Sequence, residues 1–319
     1  MCIVAFSGAW SEALRLQREQ TSDVALIPYL QQPGISLGPI RLQAFGAILM
    51  TAVLVGEALY RRRLRQVALD ADTGMALAWY ILVAGFVGAH LFSLILYFPS
   101  RLAHNPLLLF KVWEDVSSFG GMIGGAIGAV LYLRMHATTL SASTKWAYLD
   151  AVAFVAPFGW TIGRVACSLA HDHPGGVTSF PLAISLSTQR AQSFIARVYA
   201  DAGRVLPPLS QPSRLGFHDL GWYELLYLAL IVAPLFIWLD HRRPEWLKRG
   251  GAWVLTFVFV YAPMRLVLDT LRIGDARYLG LTPGQYAAGI LLLGALYLTA
   301  RRRTLIETAE RPVLGVKNG

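Results

Sequence analysis

Residues 42–65 read LQAFGAILMTAVLVGEALYRRRLR, a long, mostly apolar run closed by Arg61, Arg62, Arg63 and Arg65. An apolar run of roughly 20 residues crosses the hydrocarbon core of a bilayer as a helix. Arginines clustered at one end mark the face that stays in the cytoplasm. The rest of the chain repeats the pattern. Comparable stretches lie roughly at 75–98, 119–135, 147–169, 221–240, 252–270 and 284–300, about seven in all with the first. Helices are the structure expected, because continuous segments of this length in lipid must satisfy their own backbone groups. The expectation is an all-α integral membrane protein built as a seven-transmembrane-helix bundle.

Composition points the same way. Of 319 residues 55% are hydrophobic and 15% charged, with mean hydropathy +0.49, against about 25% charged in soluble domains. Disorder, a coiled coil and a disulfide scaffold are excluded. The net charge of +9 sits largely in short clusters beside the spans: Arg134 and Lys145, then Arg242, Arg243, Lys248 and Arg249, then Arg301, Arg302 and Arg303. An alternating path gathers these on one face with the first cluster, which places the N-terminus outside and the C-terminus in the cytoplasm. Charge so placed sets topology and meets anionic membrane lipids, so no nucleic-acid partner is expected. MCIVAFSGAWSE at the start lacks the basic region of a signal peptide, so membrane entry is expected from internal spans. Residues 1–24 read as an N-terminal extension, 25–300 as the spanning domain and 301–319 as a basic cytoplasmic tail. The stretch 171–220, rich in Ser, Pro and Gly, is an extracytoplasmic loop or head. Within it Gln189 to Tyr199 has the pattern of an amphipathic helix lying at the interface.

Charged residues inside spans are costly, about 2.5–3.5 kcal/mol for a central arginine, and need a use. On a helix, Arg164, Ser168, His171 and Asp172 share one face, and Pro174 with Gly175 and Gly176 ends that helix, leaving His171, Asp172 and His173 at its outer mouth. Arg164 pairing with Asp172 is the purely structural alternative. Arg265, Asp269 and Arg272, at i, i+4 and i+7, form a second stripe in which Arg265 and Asp269 can neutralise each other and Arg272 is left as an unpaired cation. Two such stripes facing each other make an outward-opening cationic pocket, and arginine forks suit phosphodiester oxygens. Before the fifth span stand His218, Trp222, Tyr223 and Glu224; the aromatic pair fits an interfacial anchor. Gly120, Gly121, Gly124, Gly125 and Gly128 recur at a spacing that packs helices closely. Bare glycine backbone also admits a lipid headgroup, which makes Gly120 and Gly121 candidate contacts. His171 and His173 lack partners at zinc-site spacing, so no metal is expected. His90 and His136 read as packed or interfacial residues, and Cys167 as a small buried one.

The order of these motifs resembles the prolipoprotein diacylglyceryl transferases of bacterial plasma membranes. Ile27-Pro28-Tyr29, Leu37-Gly38-Pro39-Ile40 and Phe45-Gly46 are similar to that family's opening, and Gly88-Ala89-His90-Leu91 to its Gly-Ala-Arg-Leu. Trp113 with Ser118-Phe119-Gly120-Gly121 resembles its Ser-Phe-His-Gly-Gly signature, Gly163-Arg164 its Gly-Arg-x-Gly-Asn motif, and His218 with Tyr223-Glu224 its His-Pro-Ser-Gln-Leu-Tyr-Glu. Arg265, Asp269 and Arg272, then Leu281-Thr282-Pro283-Gly284-Gln285, follow its closing run. The sequence departs from the family where the histidine before Gly-Gly is either Phe119 or absent, Ala166-Cys167 replace Gly-Asn, and Asp172 and Asp269 replace glutamates.

The resemblance implies a multi-pass enzyme of the bacterial plasma (inner) membrane. It would move the diacylglyceryl group of phosphatidylglycerol onto the lipobox cysteine of a prolipoprotein signal peptide, without metal or organic cofactor. Arg164 and Arg265, assisted by Arg272, would clamp the departing phosphate. Asp269 and Glu224 would hold the arginines or bind glycerol hydroxyls, with Tyr223 and His218 beside them. A thiol of pKa about 8.5 also needs a base, and spacing selects His171, oriented by Asp172. The departures keep two alternatives open: a diverged paralogue with another acceptor, or a non-enzymatic lipid-binding or transport protein.

Overall fold

The computed structural model describes residues 26–37, 40–111, 116–136 and 138–309, and every expected span is helical in it. The expected extension 1–24, Trp113 and residues 310–319 of the basic tail lie outside the described residues. Among the described residues six helices are long and apolar enough to cross a membrane. They are α1 (Ala44–Gln66), α2 (Ala71–Tyr97), α3 (Ser118–Met135), α4 (Ala142–Ala170), and, after a shorter helix α5 (Gln189–Asp201), α6 (Leu220–Arg242) and α7 (Ala252–Leu268, extended by a 3-10 turn to Leu271). The seventh expected span falls in α8, Pro283–Ala309, a helix of 27 residues outside those six. Lipid-facing side chains are large and apolar: Met50, Trp79, Leu230 and Leu293 are each more than half exposed. In water such a surface would aggregate, and in a bilayer it is the solvated one. The chain is a multi-pass, predominantly helical membrane protein.

Local chemistry sets the helix boundaries. Asp70, Ser117 and Ser141 cap the N-termini of α2, α3 and α4 through side-chain oxygens. A π turn at Leu228–Val232 ends two residues before Pro234, which lacks a backbone N–H and crowds the preceding turn. At the end where the basic clusters lie, Asp150 of α4 accepts the amides of Gly251 at 2.5 Å, Trp253 at 2.9 Å and Val254 at 3.2 Å. A carboxylate there suits the partial positive charge of the α7 N-terminus. Arg63 departs from the simple basic-cluster picture. It is buried, 2.9 Å from Asp240 and 4.0 Å above the Phe154 ring.

Two small sheets interrupt the expected all-helical plan. β1 (Gly34–Leu37) and β2 (Ile40–Gln43) form a hairpin before α1. Between α4 and α6, β3 (Pro174–Thr178), β4 (Ile184–Ser185) and β5 (Gly216–Asp219) pair antiparallel in the order β3-β5-β4. The stretch 171–220 is therefore a folded head. Helix α5 matches the amphipathic segment, but its apolar residues Ala191, Ile195 and Tyr199 pack on Ile184, Leu186 and Phe217. The sheet, rather than the membrane interface, covers that face.

The glycines of α3 serve packing. A Cβ on Gly124 would overlap the Ala84 carbonyl, and one on Gly128 the Tyr80 carbonyl, so α2 and α3 touch through their backbones. A Gly124→Val protein should lose about 1–3 kcal/mol or fail to fold, read as a lower unfolding midpoint in detergent. Gly289→Ala, where nothing lies within 4 Å of the added carbon, should match the parent.

Candidate active site

The charged residues of the spans meet at one level, where α4 and α7 end and α6 begins, under the head. Arg164 and Arg265 are almost fully buried and Glu224 completely so. Glu224 joins them. Its Oε1 accepts from Arg164 Nε at 2.7 Å and from the Tyr261 hydroxyl at 2.5 Å, and its Oε2 accepts from Arg265 NH1 at 2.8 Å. Arg164 NH2 donates to Ser118 Oγ at 2.8 Å. Arg265 NH2 lies 2.9 Å from Asp269, and Asp269 in turn accepts from Thr282 Oγ1 at 3.0 Å. Gln285 accepts the Thr282 amide and donates to the Leu266 carbonyl, so the network runs from α4 through α6 and α7 into α8.

The two guanidiniums keep donor capacity. An arginine carries five N–H groups. Arg265 Nε is buried with no hydrogen-bond partner among the described residues. Among the described residues Arg164 NH1 has only long contacts, 3.5 Å to Cys167 Sγ and 3.5 Å to His173 Nε2. The ring of Phe119 lies 5.2 Å from the Arg265 guanidinium carbon, as an apolar floor. This arrangement can grip an anion from two sides in a site shielded from water, where charge–charge attraction is strong.

Three expectations are corrected. The shared face of Arg164, Ser168, His171 and Asp172 breaks because α4 ends at Ala170 and His171 adopts the left-handed conformation, φ 51°. Ser168 turns back to the Val165 carbonyl. His171 swings into the head, where it is buried, with Nδ1 2.6 Å from Asp219 and Nε2 2.9 Å from the Leu30 carbonyl and its ring stacked on Tyr29. Both ring nitrogens are engaged inside the head and neither is turned toward the arginines, and Asp172 pairs instead with His173, 2.5 Å from its Nδ1. Second, Arg272 is not an unpaired cation on the α7 stripe. The helix has ended by then, and Arg272 lies 3.0 Å from Asp275 with its guanidinium over Tyr97. Third, Gly120 is closed to a headgroup, since a Cβ there would meet the Gly88 carbonyl at 2.5 Å. Gly121 beside it is only partly buried.

His218 and Tyr223 stand apart from the arginines. They are bonded to each other at 2.9 Å and line an apolar cleft of about 520 Å³ with Phe180, Leu182, Leu268 and Leu271. Sequence reasoning passed over Asp275 and Tyr97, which no helical period links to the site, and Asp219, whose Oδ1 also caps α6 through the Trp222 amide. The surroundings work against ionising Asp172, but His173, by charge and hydrogen bond, and Arg164 outweigh them and hold its carboxyl below the usual range. At Asp275 burial outweighs Arg272 and holds the carboxyl up. Burial lowers the His218 pKa.

Removing the central carboxylate would leave two buried cations short of a partner. Glu224→Ala is expected to destabilise the protein by about 3–5 kcal/mol, with a smaller loss for Glu224→Gln, which still reaches Tyr261. Thermal unfolding in detergent measures both.

Comparison with known proteins gives the family of the chain. The profile of the prolipoprotein diacylglyceryl transferase family matches residues 33–301. Over 294 residues the chain is 28% identical to the phosphatidylglycerol–prolipoprotein diacylglyceryl transferase of Chromohalobacter salexigens, covering 89% of this chain and 97% of that one. Proteins of the same name from Rhizobium meliloti, 27% identical over 90% of this chain and 98% of theirs, and Caulobacter vibrioides, 28% identical over 83% and 88%, are similar across the same bundle. With the profile extending from the first hairpin to the end of the last apolar stretch, the chain belongs to the prolipoprotein diacylglyceryl transferase family.

Proposed function

We propose that this chain transfers the diacylglyceryl group of phosphatidylglycerol to the thiol of a lipobox cysteine in a prolipoprotein signal peptide, in the bacterial inner membrane. The observation that carries the reading is the Glu224 bridge, which holds two guanidiniums from different helices at one point. The phosphodiester of the lipid takes the donors they have left, Arg164 NH1 and Arg265 Nε. As the bond from the glycerol carbon to phosphate oxygen breaks, a singly charged diester becomes a doubly charged monoester. Donors already oriented toward that oxygen are worth more in the transition state than in the ground state. Glu224, Tyr261, Ser118 and Asp269 keep the guanidiniums in register, so little reorganisation is needed when the charge develops.

The apolar cleft beside His218 and Tyr223 accommodates acyl chains at the lipid-facing side of the same level. On this reading α8 is a seventh crossing. Its exposed Ile290 and Leu293 face lipid, the head with 171–220 lies outside with the N-terminus, and the basic clusters and C-terminus lie in the cytoplasm. A reporter that fluoresces only in the cytoplasm should be bright when fused after Arg303 and dark when inserted between Gly203 and Leu209.

Expressed in cells depleted of their own transferase, the intact protein should restore diacylglyceryl modification of a reporter prolipoprotein. Arg164→Ala and Arg265→Ala should each lower the rate by at least about 10²-fold. A membrane-inserted, folded parent protein that restores nothing would overturn the reading.

A further inference from the structure

Two histidine–carboxylate pairs lie close to the arginine bridge, and only one of them points at it. His171 with Asp219 is turned into the head. His173 with Asp172 sits on the short link between α4 and β3, and its backbone is held in place: the His173 carbonyl accepts the Leu220 amide at 3.0 Å, and Pro174 pairs with Asp219 in the sheet. The rim of the site is thus rigid where the His173 side chain leaves it.

We propose that His173, oriented by Asp172, is the base that takes the proton from the acceptor thiol. The proposal rests on the transferase reading above. Hydrogen-bond partners assign the tautomer. Asp172 Oδ1, 2.5 Å from Nδ1, is an acceptor, and Arg164 NH1, 3.5 Å from Nε2, is a donor. The imidazole therefore carries its proton on Nδ1 and turns the lone pair of Nε2 toward the guanidinium that grips the phosphate. That is where a base for this reaction belongs, within one small group of the anion site. The 3.5 Å contact is long enough to yield when a phosphate oxygen takes over NH1. Phe119, packed beneath Arg265, offers no proton acceptor, and the ring of His171 is buried in the head between Asp219 and the Leu30 carbonyl.

The step balances. The thiol proton moves to His173 Nε2, and the sulfur forms a bond to the terminal glycerol carbon of the diacylglyceryl group. The bond from that carbon to the phosphate oxygen breaks, and its electron pair leaves with glycerol phosphate, met by Arg164 and Arg265. His173 then returns the proton to the departing phosphate or to water. Asp172 stabilises the doubly protonated ring in between, in the manner of other carboxylate–histidine pairs.

The test uses the full-length protein in mixed micelles with phosphatidylglycerol and a lipobox peptide carrying either cysteine or selenocysteine, whose selenol is ionised at neutral pH without help. With the cysteine peptide, His173→Gln should lower kcat by about 10²–10⁴-fold while KM for the lipid changes little, and Asp172→Asn should show a smaller loss. With the selenocysteine peptide most of that loss should disappear. A structural defect would not discriminate between the two nucleophiles. Near-parental turnover of the cysteine peptide by His173→Gln, or equal losses on both peptides, overturns the assignment of the base. A parent protein silent toward both peptides overturns the transferase reading itself.

Discussion

One carboxylate, Glu224, lets two buried arginines exist side by side in an apolar bundle. Each guanidinium alone would be a costly intrusion into the membrane, and two together would repel. With Glu224 accepting from Arg164, Arg265 and Tyr261, α4, α6 and α7 are bound at a single point. Asp269, Thr282 and Gln285 continue the chain of bonds into α8. The geometry of the site and the association of these helices are thus the same set of interactions. A cluster arranged only for stability would leave few donors spare, whereas Arg265 Nε is buried with none of the described groups accepting from it.

The head completes that level. His171 and Asp219 join the end of α4 to the start of α6, and Gly175 pairs with Arg272 across the end of α7. The three helix ends that supply the arginines and the glutamate are therefore locked to one small sheet. Polar ties at the opposite end, Asp150 on the α7 amides and Arg63 on Asp240, hold the bundle independently. A site that acts on substrate depends on placement to fractions of an ångström, and anchoring at both ends limits how far these helices can shift.

The similarity to named transferases and the arginine geometry are both consistent with the proposed chemistry, charge development on a departing phosphate. The departures from the family pattern then gain physical content. Phe119 gives Arg265 a ring face to lie on, and Cys167 contacts Arg164 NH1 through sulfur. Asp172, one carbon shorter than a glutamate, engages the neighbouring His173. The apolar cleft near His218 is lined by residues from the head, from α6 and from the end of α7.

The amino-acid sequence by itself located the long apolar helices, because apolar length is a property of continuous segments, and it singled out Arg164, Arg265 and Glu224, because charge inside such segments is conspicuous. Pro174 and its glycines signalled that α4 stops nearby, but the helix ends earlier, at Ala170. Only the tertiary structure decided who pairs with whom. Helical periodicity put His171 and Asp172 on the face of Arg164, but one left-handed residue at position 171 rotated the first into the head and handed the second to His173. Likewise Arg272 lay on the α7 stripe only while the helix continued, and after the turn at Asp269 its partner became Asp275. The bond from Glu224 to both arginines joins residues 60 and 41 positions apart, a distance over which no local pattern carries information.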